Sequence, residues 1–268
     1  LVGCLVNGRH LTSWASGYAF SRENHEIRRR LILASPRPAT RSLDLNWQPP
    51  MNEAGPNFKS FTWTAIGFEL GLAVVAVAIG WLVGFSPIAK LRLTGDDWWR
   101  TLLYGVLATL PMFVALFCVQ RLPLRTFVNL RDAAQRIIHL LLGRCSVPEL
   151  ALISLCAGIG EEVLFRGLLQ DGIAHAMGPT AGPWLGLVAA SVVFGLAHAM
   201  TRSYAILATL AGAYLGGLLM LTDNLMVPIL AHAVYDFGAL LIVLKAPTSE
   251  SDSVERTNLD TSQQEDDA

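Results

Sequence analysis

The chain has 268 residues, 53% of them hydrophobic and only 15% charged, with a formal net charge of −1 and a positive mean hydropathy. A soluble domain of this length carries charge on roughly a quarter of its residues, so the composition argues for a membrane protein. The balanced charge, with no basic block interleaved with aromatics, excludes nucleic acid as the expected partner.

Residues 1–60 are mixed and Pro/Arg-containing, with Arg28, Arg29 and Arg30 together and a Pro49-Pro50 break, and read as a polar extension with little core of its own. The sequence begins at Leu1 rather than Met, as a fragment or a processed product would. LVGCLV is too short for the apolar core of a signal peptide and has no basic residue ahead of it. From Phe61 onward long apolar runs dominate, and a membrane span needs about 20 such residues. Six spans are expected, near 61–85, 101–119, 148–171, 182–200, 203–222 and 226–245.

Trp98 and Trp99, ahead of the second span, suit a membrane-interface belt. Between the second and third spans, RTFVNLRDAAQRIIHLLLGR sets Phe127, Leu130, Ile137, Ile138, Leu141 and Leu142 against Arg131, Asp132, Gln135 and Arg136, the pattern of an amphipathic helix lying at the interface. The five arginines from Arg121 to Arg144, with Arg202 and Lys245, favour a topology with both termini cytoplasmic. After Lys245 the chain has seven acids against one arginine and no apolar run, the composition of a disordered tail.

The expected fold is therefore all-α, a polytopic transmembrane helical bundle of about six spans plus an interfacial amphipathic helix. Its organisation is an N-terminal polar extension (1–60), accessory membrane helices with the interfacial helix (61–147), a helical core (148–245) and an acidic tail (246–268). Cys4, Cys118, Cys145 and Cys156 include no CxxC pair and no metal-like spacing, so neither a disulfide framework nor a cysteine metal site is expected.

The third expected span contains AGIGEEVLFRG, Ala157 to Gly167, with Glu161, Glu162 and Arg166 inside an apolar run. A charge at the centre of a membrane helix costs about 2.5–3.5 kcal/mol on insertion scales, so these three must be paired or face a wet cavity. Glu162 and Arg166 stand at i and i+4 and can meet on one helix face. Glu161 is rotated about 100° away and has Phe165, not a cation, at its own i+4 position. One carboxylate is thus assigned to structure and its neighbour left available. A carboxylate in an apolar site is a stronger base than in water, which suits it to take a proton from a water molecule.

Two later spans supply histidines. FGLAHA puts Phe194 and His198 one turn apart, and HAVYD puts His232 and Asp236 one turn apart. Three helices can so converge on one cavity that carries a carboxylate, two imidazoles and a further carboxylate. Depth adds a constraint. Glu161 lies 13 residues past Pro148, about 20 Å along a helix, whereas His198 lies near the end of its span, so some helix must be tilted, short or bent, or a span boundary must lie elsewhere.

EEVLFR, FGLAH and HAVYD, in that order on successive spans, resemble the EExxxR, FxxxH and HxxxN or HxxxD motifs of the CAAX protease and bacteriocin-processing family, also called CPBP or Abi. The resemblance covers roughly residues 148–245 and makes that segment the expected catalytic core. It implies an intramembrane endopeptidase in which Glu161 and His198 activate the attacking water. His232 and Asp236 would stabilise the oxyanion, while Glu162 with Arg166 holds the helix and orients the site. The eukaryotic enzymes that trim prenylated proteins resemble this site but carry asparagine where this chain has Asp236. An ionised aspartate cannot donate a hydrogen bond, so Asp236 is either protonated or, as the favoured reading, orients His232.

The expected partners are membrane lipid and a protein or peptide substrate, the expected location is the cell (inner) membrane of a prokaryote, and no cofactor is expected. The rival for the same residues is a zinc-dependent protease, since two glutamates and two histidines can ligate a metal. Against it, there is no HExxH helix, and Arg166 competes for Glu162. A transporter would also place such charges in a bundle, but the halves show no repeat. The third class is a non-catalytic scaffold or immunity protein.

Other residues stay open. Glu69 in the first span fits helix packing or a cavity lining equally, and Tyr204 and Tyr235 are interfacial or cavity-lining. His175 is expected in an exposed loop, His139 on the interfacial helix and Asn224 at a helix start. Gly212 and Gly216 form a GxxxG that signals close packing.

Overall fold

The computed structural model describes residues 58–92 and 98–246, the side chains of 58–60 excepted. The N-terminal extension up to residue 57 and the acidic tail after Ala246 lie outside the described residues. The described chain is helical, without a strand: α1 (Phe58–Leu82), α2 (Trp98–Leu107), α3 (Thr109–Arg121), α4 (Arg125–Leu142), α5 (Val147–Glu162), a π-helical stretch (Val163–Gln170), α6 (Asp171–Met177), α7 (Gly182–Ala197), α8 (Arg202–Thr222) and α9 (Met226–Lys245).

Four segments are long and apolar enough to cross a membrane: Phe61–Leu82, Trp98–Arg121, Arg202–Thr222 and Met226–Lys245. A fifth is added if Arg125–Leu142 and Val147–Met177, bent by 112° at the break between them, are counted as one. Six spans were expected, and the difference lies in the middle of the chain. The third expected span carries Glu149, Glu161, Glu162 and Arg166 in its run. The fourth stops at Ala197 after 16 residues, about 24 Å of helix against a hydrocarbon thickness near 30 Å. That early stop leaves His198 just beyond a short helix, one of the expected ways to meet the depth constraint.

Lipid tails are as apolar as leucine, so helices in a bilayer associate through close packing and interhelical polar bonds. The outward faces are accordingly rich in exposed apolar side chains, including Trp63, Trp81, Leu82, Leu140 and Leu221. Inside, α5 packs against α1 and α9, and α7 against α8. One cluster of Ile66, Leu142, Leu150, Ile153, Cys156 and Leu240 ties α1, α4, α5 and α9 together. A second joins Ala76 and Val163 to Leu219, Leu225 and Ile229. Glycines set the closest crossings. A Cβ on Gly160 would strike the Glu69 main chain, and one on Gly158 would meet Ile229 and Ala233. Gly160→Ala must push α1 off α5 and is expected to cost about 1–3 kcal/mol, read as a lower melting midpoint in detergent; an unchanged midpoint would refute this crossing.

The loop ends are pinned by polar contacts. Asn224 does more than start α9: its Oδ1 accepts from Met226 N at 3.0 Å while its Nδ2 donates to Arg92 O at 2.9 Å and to Thr101 Oγ1 at 3.1 Å. Beside it Asp223 takes a left-handed backbone (φ 47°) and receives Lys90 and Arg92, each at 3.0 Å. Lys90 also reaches Asp171 at 2.7 Å. Burial disfavours the Lys90 charge, but its hydrogen bonds to Asp171 and Asp223 outweigh that and hold the ammonium above the usual lysine range. A pKa raised on folding stabilises fully below the ordinary lysine value and fades as pH climbs through the raised one, so this latch is intact at neutral pH.

Candidate active site

SVPE opens α5 as a capping box, Ser146 N donating to Glu149 Oε2 at 2.7 Å. The helix then runs inward to Glu161 and Glu162 at its end, both with 0% exposure. There it widens into the π-helical stretch, a distortion common at functional sites. Arg166, on the first turn of that stretch, is 1% exposed and donates through Nη1 to Glu162 Oε1 at 2.7 Å, as the spacing anticipated. Its Nη2 donates to Gly212 O at 3.1 Å, and the guanidinium lies 4.5 Å over the Phe194 ring.

The Gly212–Gly216 pair gains its meaning here. Gln170 stands four residues after Arg166 just as Gly216 stands four after Gly212, and Gln170 Nε2 donates to Gly216 O at 3.0 Å. Two polar side chains of one helix thus hold two carbonyls of another, and the missing side chains let them approach. Gln170 was not anticipated; its signal was the shared four-residue step in VLFRGLLQ and LAGAYLGG.

His198 and His232 come to the same place from α7 and α9. His198, at the end of α7, stacks on Phe194 with ring centroids 4.4 Å apart, and Phe194 meets Phe165 edge-on at 5.0 Å. Nδ1 of His198 donates to Phe194 O at 2.8 Å, and its Nε2 stands 3.5 Å from Glu161 Oε2. His232 directs Nε2 to within 3.8 Å of the same Glu161 oxygen. Its Nδ1 donates to Glu162 Oε1 at 2.7 Å.

Glu162 therefore has a second partner that spacing could not show, since the bond joins residues 70 positions apart. One of its oxygens binds both Arg166 and His232. Asp236, assigned to orient His232, stands with Oδ2 3.5 Å from His232 Nε2, a looser approach to the nitrogen that faces Glu161. The shorter bond to the ring, at 2.7 Å, comes from Glu162. The reason is register, because α9 turns Nδ1 of His232 toward α5 and Nε2 toward its own next turn.

All four residues assigned to chemistry, Glu161, His198, His232 and Asp236, thus converge with Glu162 and Arg166. His198, His232 and Asp236 line a cavity of about 420 Å³, mostly apolar, that reaches Arg131 and Gln135 on α4. Tyr204 and Tyr235, left open by sequence, line it too. Arg131 donates to Gln120 O and Gln135 to Ala246 O at 3.0 Å, so the amphipathic helix walls the cavity while bracing the ends of α3 and α9. Glu69 is fully buried in α1, His175 is exposed on α6 against Phe85, and His139 lies on α4.

As to a metal, the donor set has only one fully buried carboxylate, Glu161, turned to both imidazoles, because Glu162 is committed to Arg166. Among the described residues no three His, Cys, Asp or Glu side chains are grouped to hold an ion.

Residues 144–238 match a family model described as type II CAAX prenyl endopeptidase, Rce1-like. No curated protein and no solved structure matches the chain.

Proposed function

With residues 144–238 an Rce1-like segment of the CAAX protease family and the chain an integral membrane protein, we propose that it is an intramembrane endopeptidase that hydrolyses membrane-associated proteins or peptides through a water activated by Glu161 and His198. The observation that carries this reading is the 3.5 Å gap between Glu161 Oε2 and His198 Nε2. Both atoms are acceptors when the ring is neutral and its Nδ1–H is spent on Phe194 O. A substrate water held beside this pair can donate one hydrogen to each, with its lone pair free to attack a carbonyl.

In this mechanism Glu161 takes the water's proton as the C–O bond forms. The developing oxyanion falls to His232, which is fixed through Nδ1 by Glu162 and donates through Nε2. To donate at both nitrogens the ring must carry both protons, which Glu162 and Asp236, flanking the two nitrogens, accommodate. The proton held by Glu161 then passes to the leaving amine. Geometrically placed bases and donors of this kind each supply about 10²–10⁴-fold in rate. The apolar cavity suits an apolar or lipid-borne segment of substrate, and the cell membrane of a prokaryote is the proposed location.

No cofactor enters this scheme. The purified, active chain is expected to contain no stoichiometric zinc and to keep its activity in chelator; chelator-sensitive activity restored by zinc would establish the metal-dependent reading of the same cluster. New protein termini in membranes that express the wild-type chain, compared with Glu161→Gln at matched levels, test the reading itself. Termini found only with wild type support a protease and reveal its cleavage sequence. Identical profiles from two folded proteins would shift the assignment to a transporter or a scaffold.

A further inference from the structure

Glu69 is the one glutamate of α1, outside the segment that matches the family model. It is 0% exposed, and neither carboxyl oxygen has a hydrogen-bond partner among the described residues. Its main chain is pressed against Gly160, the residue before Glu161. Among the described residues, the groups that act on it electrostatically are Glu161 from α5 and His232 and Asp236 from α9, and it acts in turn on Cys156 of α5. The π-helical stretch, which also packs on α1, contributes Arg166, but that cation is committed to Glu162 and Gly212.

An ionised carboxylate buried without a cation or a donor is among the costliest groups a fold can hold. Two carboxyls in one apolar site do not both ionise, and the proton stays with the member that has the fewer cationic neighbours. Glu161 has two imidazoles within 3.8 Å, whereas Glu69 has no such contact.

We propose that Glu69 is the acid member of a buried carboxyl pair with Glu161: it keeps its proton and serves as a neutral positioning residue at the α1–α5 crossing. This rests on the reading of Glu161 as the base and adds a second carboxyl with the opposite role. A neutral carboxyl at this crossing fills the space beside the base without adding a second anion that would compete with it for a proton.

Infrared difference spectroscopy of the purified full chain in detergent at neutral pH tests this without any substrate. The C=O stretching band of a protonated carboxyl is expected in wild type, lost in Glu69→Gln, and retained but shifted in Glu161→Gln, because the partner it senses has changed. Glu69→Asp, which keeps the acid, should move the band rather than remove it and serves if Glu69→Gln does not fold. A wild-type spectrum without the band, a band that disappears in Glu161→Gln, or one that Glu161→Gln leaves unmoved would each overturn the pairing. These outcomes are separate from the protease reading, since loss of new termini in Glu161→Gln stands or falls independently of the band.

Discussion

Glu161→Gln is expected to reduce cleavage by about 10²–10⁴-fold while the protein inserts, folds and melts close to wild type. The amide has nearly the volume of the carboxyl and fills the same buried space, so packing against α1 is preserved. What it loses is the capacity to take a proton. An amide nitrogen facing His198 Nε2 would also form a direct donor–acceptor contact with the ring and displace the water of the proposed mechanism. Matched turnover assays and thermal melts in one detergent check this. A variant that cleaves at the wild-type rate would remove Glu161 as the base, and one that fails to fold would make it a structural residue.

Arg166→Met carries the second large effect, on stability. Removing one partner of a buried ion pair strands the other, at a cost of about 3–5 kcal/mol in soluble interiors. Here the stranded group is Glu162, and the Gly212 carbonyl loses its donor as well. Arg166→Lys should rescue little, since a point charge cannot span Glu162 and Gly212 as the forked guanidinium does. The double variant Glu162→Gln/Arg166→Met should recover much of the melting midpoint but not the activity, because His232 then loses the anion on Nδ1. Wild-type melting of Arg166→Met would refute the pair, and full activity of the double variant would refute the positioning of His232 by Glu162.

The contrast between Glu162 and Gln170 shows how far sequence reaches in this molecule. The Glu162–Arg166 contact spans four residues and follows from helix geometry alone. Glu162–His232 spans seventy, and Gln170–Gly216 forty-six. Such bonds depend on which faces of distant helices meet, and apolar patterning specifies this poorly in a bilayer, where lipid and protein are alike to a leucine side chain. The span count is approximate for a related reason. Apolar runs such as that of Gly182–Ala197 show hydrophobicity, but whether such a run crosses, stops short or bends depends on its neighbours.

The sequence by itself determined that this is a helical membrane protein, that it carries three ordered motifs of one family, and that Glu162 rather than Glu161 can reach Arg166 along its own helix, because composition, helical period and motif order are local properties. Only the tertiary structure decided that Glu162 bonds His232, that Asp236 stands 3.5 Å from the other ring nitrogen, that α4 walls the cavity, and that Glu69 is buried where its main chain meets Gly160. Each of these depends on the rotation and depth of one helix against another, and in an apolar solvent those are set by a few glycine contacts and buried polar bonds between residues far apart in the chain.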